Sequence, residues 1–169
     1  MTTTTVRVVG PKDGKAGSLG AIGVRFLISG LESGGGFSLV EHPMPSRSLA
    51  APMHRHTRED EYSFVLEGRV GADLGGEVIY GEPGDLIFKP RNQWHTFWNA
   101  GDEPARILEI ISPAGFEKFF DELVDLDFQG PPDPAVLGAI ATRYGLELDF
   151  ESVAGLMEKH GLAAPGAAV

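Results

Sequence analysis

The stretch Pro52-Met53-His54-Arg55-His56-Thr57-Arg58-Glu59-Asp60-Glu61-Tyr62-Ser63-Phe64-Val65-Leu66-Glu67-Gly68 decides how the chain reads. Side chains alternate between the two faces of a strand, so His54 and His56 share one face and Arg55 takes the other. Two imidazoles on one face can serve one ion. Glu61 follows five residues after His56 and can approach from the neighbouring strand. His95 lies in Gly84-Asp85-Leu86-Ile87-Phe88-Lys89-Pro90-Arg91-Asn92-Gln93-Trp94-His95-Thr96-Phe97-Trp98-Asn99 and can approach from a later strand. Three neutral nitrogens and one carboxylate suit a single divalent transition metal: Fe, Ni, Mn, Cu or Zn. A six-coordinate ion held this way keeps two positions for substrate, water or dioxygen.

Around this stretch the chain reads as short strands separated by turn signals. Strands are expected at Val24 to Ser29, Phe37 to His42, Met53 to His56, Glu61 to Leu66 and Arg69 to Asp73. More follow at Val78 to Tyr80, Asp85 to Phe88, His95 to Trp98 and Ala105 to Ile111. Pro43 and Pro45 are expected to end the second of these. Many short strands without helical patterns between them indicate a sandwich or barrel. After Ser112 the period changes. Phe116, Phe119, Phe120, Leu123 and Val124 follow helical spacing, with Ser112 as the expected cap and Pro113 in the first turn. Gly130-Pro131-Pro132 should break this helix. Asp133-Pro134 should start a second, with Val136, Leu137, Ile140 and Tyr144 on one face and Gly145 beyond its end. A third is expected from about Phe150 to His160, where His160 would meet the helix dipole. The expected organisation is an N-terminal arm at 1–20, a β-barrel at 21–112 and a helical extension at 113–169.

The two histidine-bearing stretches resemble the paired motifs of the cupins, a jelly-roll family. The first motif is matched by His54, His56, Glu61 and Gly68, the second by Gly84, Pro90, His95 and Asn99. Two positions depart from it: Ser48 and Asn92 stand where the family has glycine. Asn is the best non-glycine residue for a left-handed turn, so Asn92 should keep the geometry. The resemblance implies a mainly β cupin jelly-roll barrel with a short C-terminal helical extension. It assigns His54, His56, Glu61 and His95 as metal ligands. The segment from Ser112 also resembles the helical tail of small single-domain bacterial cupins of the quercetin-dioxygenase-like kind.

That resemblance implies a metal-dependent oxygenase acting on a small enolic or aromatic substrate, with Glu61 also serving as catalytic base. One alternative is a zinc-type isomerase or polyketide cyclase. A second is a non-enzymatic cupin that binds a small ligand. By parity, Phe97 shares a face with His95 and Ser63 shares one with Glu61, so both are candidate pocket residues. Trp94 and Trp98 should face away and pack. Glu59 and Asp60 are expected to be solvated in the turn before Glu61.

Composition sets outer bounds. The chain has 169 residues, a net charge of −10 and no cysteine. That excludes disulfides and thiolate ligands, and it argues against nucleic-acid or anionic-membrane partners. With no apolar run long enough to span a bilayer and no apolar N-terminal core, a cytoplasmic location is expected. If Glu61 points inward, Tyr62, Phe64 and Leu66 point out. That apolar face should then be covered by the C-terminal helices or by a second copy, making a homodimer.

Overall fold

The computed structural model describes residues 6–126 and 133–163. The expected break at Gly130-Pro131-Pro132 lies outside the described residues. The elements run β1 (Ala16–Ser18), β2 (Gly23–Ile28), β3 (Ser38–Met44), β4 (Met53–His56), β5 (Asp60–Glu67), β6 (Val70–Leu74), β7 (Glu77–Gly81), β8 (Leu86–Lys89), β9 (His95–Asn99) and β10 (Ala105–Ser112). Then come α1 (Glu117–Leu126), α2 (Pro134–Arg143), β11 (Leu146–Asp149) and α3 (Ser152–His160). Two antiparallel sheets face each other as a jelly roll. One has the order β1-β2-β3-β10-β5-β8 and the other β11-β4-β9-β6-β7.

Alternation builds the interior. In β10, Ala105, Ile107, Glu109 and Ile111 are buried while the residues between them are half-exposed. In β5, Glu61, Ser63 and Val65 point in. One apolar cluster fills the barrel around Val65, Val70, Ala72, Ile87 and Ile107. A second joins Val24, Val40 and Ile111 to Phe116, Phe119, Leu123 and Ile140, so α1 and α2 pack on the barrel through it. A third seats α3, through Leu156, on Leu49 and Trp98.

Two residues of the family pattern have plain structural work. The buried Asn99 side chain donates to the carbonyls of Met44, Pro45 and Glu103, pinning two loops together. Asn92 stands at φ 65, the left-handed conformation its amide side chain tolerates. Its N–H donates to the His56 carbonyl at 2.7 Å, tying the turn to the histidine strand.

Several expectations are corrected. Strand β3 continues through Pro43 to Met44, because pairing with β2 reaches only Glu41 and no N–H is needed from Pro43 on that side. Ser112 does not cap α1. It ends β10, paired with Asp60, and its hydroxyl donates to the Gly36 carbonyl. Helix α2 does start at Asp133, whose side chain accepts from the Ala135 N–H at 2.7 Å. Val136, placed on the packed face by spacing, is 46% exposed. His160 ends α3 with its ring stacked on Trp98 at 4.0 Å, and burial lowers its pKa, so packing rather than the helix dipole holds it. Strand β1 begins at Ala16, within the stretch read as an arm. Strand β11 was not foreseen: it interrupts the helical extension and pairs with β4, Leu146 opposite His56 and Leu148 opposite His54. The helices leave the outer face of β5 and β8 open, with Phe64, Leu86 and Phe88 exposed and Tyr62 stacked on Phe88. No described helix is long and apolar enough to cross a membrane.

Candidate metal centre

His54 and His56 project inward from β4, and His95 does so from β9, directly across from His54. Glu61 comes from β5 in the facing sheet. All four are buried, and each offers a ligand atom within 4.8 Å of the others. The four residues singled out in the sequence therefore meet at one point.

The imidazoles are set for coordination. His54 Nδ1 lies 2.8 Å from the Pro52 carbonyl and His95 Nδ1 lies 2.9 Å from the Gln93 carbonyl. A carbonyl only accepts, so each Nδ1 carries the proton and each Nε2 keeps its lone pair. His56 Nε2 and His95 Nε2 are buried without a hydrogen-bond partner among the described residues. They stand 3.4 and 3.3 Å from Glu61 Oε2. Buried imidazole nitrogens left bare beside a carboxylate are what a divalent cation satisfies, so this donor set fits one. Burial pushes the pKa of His54 and of His95 down, which keeps both rings neutral as ligation requires. Burial works against charge on Glu61 too. The His56 ring and the Lys89 ammonium outweigh it and hold the carboxyl well below its usual range.

Three participants escaped the sequence reading. Lys89 is fully buried, with Nζ 3.0 Å from Glu61 Oε2 and 2.9 Å from Glu109 Oε2. Glu109 also accepts from the Ser63 hydroxyl at 2.8 Å. Burial pushes its pKa up to about 7, against the pull of Lys89. Both residues follow from cross-strand register, Lys89 opposite Glu61 and Glu109 opposite Ser63. The signal for Glu109 was present: a lone acid in the inward parity of Ala105-x-Ile107-x-Glu109-x-Ile111. The third is Glu59. It is not solvated but buried behind His56, 3.8 Å from Nδ1, and burial raises its pKa. Asp60, by contrast, stays near the surface in a two-pronged contact with Arg91.

A cavity of about 380 Å³ opens from the cluster. His42, His54, His56, Glu61, Phe97 and Glu109 line its barrel end. Phe116, Phe120, Leu137, Leu146, Leu148 and Phe150 continue it among α1, α2, β11 and the start of α3. Phe97 therefore walls the cavity, with Lys89 Nζ 4.5 Å above its ring. Ser63 is not among the lining residues; it acts on Glu109 instead. The volume and apolar walls suit a small organic molecule, and the polar groups gather at one end.

A family model described as a cupin domain matches residues 42–111, from within β3 to β10, and takes in all four clustered residues. Residues 42–111 form a cupin domain. This cupin is 33% identical over 82 residues to the tetracenomycin polyketide synthase protein TcmJ of Streptomyces glaucescens, covering 48% of this chain and 53% of that protein. It is 37% identical over 60 residues to the polyketide synthase CurC of Streptomyces cyaneus, covering 36% of this chain and 39% of that protein. The matches thus span about half the length of these curated relatives or less. Among solved structures, the polyketide cyclase RemF from Streptomyces resistomycificus superposes with a TM-score of 0.55 at 29% identity, over 64% of this chain and 80% of that one. KdgF from Halomonas sp. superposes with a TM-score of 0.59 over 68% of this chain and 99% of that one. At 16% identity that second likeness is one of fold alone.

Proposed function

We propose that this cupin is a metal-dependent polyketide cyclase, closing a ring in a small poly-β-carbonyl compound without oxidation. The observation that carries this reading is a buried three-histidine, one-glutamate cluster at the polar end of an apolar cavity, in a chain similar to two polyketide synthase proteins and a polyketide cyclase. These relatives favour cyclisation over the oxygenase, and over the quercetin-dioxygenase-like kind, that the sequence led us to expect.

His54 Nε2, His56 Nε2, His95 Nε2 and the Glu61 carboxylate would hold the ion. When bound, the ion supplies Lewis acidity toward a carbonyl oxygen. The chain's own groups do the rest. The apolar walls fold the substrate and exclude water, which strengthens every charge interaction in the site. Glu61, ionised and steadied by Lys89, is the carboxylate within the cluster, and its oxygen not held by the ion would act as base toward a methylene flanked by two carbonyls. In an aldol closure that methylene loses its proton to Glu61, its carbon bonds to a second carbonyl carbon, and the carbonyl oxygen takes up a proton. That bond closes the ring, and loss of water from the resulting β-hydroxy ketone then leaves a double bond in it.

The test is to identify the metal in purified protein by elemental analysis, then supply a poly-β-carbonyl chain and follow cyclised product together with dissolved oxygen. Product without oxygen uptake, lost in His95→Ala along with the metal, supports the cyclase. Oxygen consumed in step with product returns the site to an oxygenase. Metal-independent turnover removes the centre from the mechanism.

A further inference from the structure

The cavity holds a carboxylate that the cyclase reading leaves idle. Glu109 is 1% exposed and lines the cavity. Its Oε2 takes both available donors, the Ser63 hydroxyl at 2.8 Å and the Lys89 ammonium at 2.9 Å. Its Oε1 is buried with no hydrogen-bond partner among the described residues. Buried carboxylate oxygens are rarely left bare, and one in a cavity wall is completed by what enters the cavity. The same Lys89 Nζ also touches Glu61 Oε2 at 3.0 Å, so a single ammonium separates Glu109 from the metal cluster.

We propose that Glu109 Oε1 accepts a hydrogen bond from a substrate hydroxyl or enol that neighbours the oxygen directed at the metal cluster. The substrate class is then narrower than any apolar carbonyl compound. It carries two oxygens in a 1,3 relation, the second one a donor, as in an enolised 1,3-dicarbonyl or a 1,3-dihydroxyarene. Placing the first oxygen rests on the reading given under Proposed function. The role of Glu109 rests on its own geometry. Ser63 and Lys89 act as positioning residues: two donors on one oxygen fix the carboxylate plane and leave the other oxygen for the ligand. A site built to bond a hydroxyl discriminates strongly against an analogue that cannot donate, because its buried acceptor is then stranded.

The probes are 1,3-dihydroxynaphthalene and 3-methoxy-1-naphthol, in which a methyl group replaces the hydrogen of the second oxygen; the Glu109→Gln arm separates lost donation from added bulk. Calorimetric titration of the full chain, with zinc supplied, should show the diol bound about tenfold more tightly or better. In Glu109→Gln the amide oxygen must take Ser63 and Lys89, which turns the NH₂ toward the cavity. The preference should fall to near unity or reverse. Ser63→Ala, which removes one of the two donors on Oε2 and keeps Lys89, should weaken the preference without abolishing it. If Glu109→Gln does not fold, the pair Glu109→Leu with Lys89→Met removes both charges together and must also lose the preference. Equal affinities in the unaltered protein, no binding of either probe, or a preference that survives Glu109→Gln overturns the proposal. Zinc uptake, measured on the same samples without probe, separates the two readings. Uptake without diol preference keeps the metal centre and discards the Glu109 role. Preference without uptake does the reverse.

Discussion

Lys89 is the residue on which the interior charge balance turns. It sits fully buried between Glu61 and Glu109, and its removal leaves two carboxylates facing each other in a dry space. Breaking a buried pair by deleting one partner costs about 3–5 kcal/mol, and Lys89→Met should show a loss of that order in urea unfolding of the metal-free protein. A divalent ion should restore part of it, since it neutralises Glu61. A second effect at this scale is acid sensitivity. His42 is buried with Nδ1 2.9 Å from the Gly23 carbonyl, and burial pushes its pKa from 6.5 down to about 4 despite that bond. Between those values the unfolded chain takes up a proton that the folded chain refuses. The His42 contribution is therefore whole above pH 6.5 and falls with pH, by roughly 1.4 kcal/mol per unit, until about 4. Glu109 acts in the opposite sense from about 7 down to 4.5, because the folded chain protonates it first. Between about 6.5 and 4.5 these two slopes nearly cancel, and the buried His54 and His95, whose pKa values burial also lowers, add to the His42 sense. Unfolding midpoints of metal-free protein across this range should therefore fall on acidification, less steeply in His42→Phe and more steeply in Glu109→Gln.

At the scale of elements, β11 matters most. It lies beside the strand that carries two of the clustered histidines, and Leu146 and Leu148 line the cavity next to them. Leu146 is 6% exposed and packs into the cluster that joins α1 and α2 to the barrel. Leu146→Ala should cost about 2–5 kcal/mol, read by thermal or denaturant unfolding. A cost below 1 kcal/mol would mean that β11 is only loosely docked. The strand's apolar–polar alternation, Leu146-Glu147-Leu148-Asp149, was legible. It went unread because four residues between two helical patterns carry little weight against their neighbours. The opposite holds for β4 to β10, where each element was foreseen within a few residues. There, short strands follow one another between turn signals, so even the four-residue β4 and β8 read as members of a series, whereas β11 stands alone among helices.

For the whole molecule, the exposed apolar face of β5 and β8 is the surface that a second copy would cover. The described helices pack on the mouth of the barrel and on the other sheet. If a second copy covers it, sedimentation should give a mass near twice 18.1 kDa, and Phe64→Lys with Leu86→Lys should give the monomer. A monomeric unaltered protein would remove the homodimer and leave the cavity and cluster untouched, since both are complete within one chain.

By itself the sequence determined the four clustered residues, the two-sheet barrel and the start of α2. These depend on local rules: alternation along a strand, spacing within a motif, and a side-chain acceptor at a helix start. Only the tertiary structure decided that Lys89 and Glu109 meet Glu61, that Glu59 is buried behind His56, and that β11 walls the cavity. The first and third depend on which strands become neighbours across long stretches of chain, and the second on how the turn after β4 folds back under the elements that cover it. A charged residue's preference for water is overridden only when such a neighbour supplies its partner, and the linear order of residues does not state who that neighbour will be.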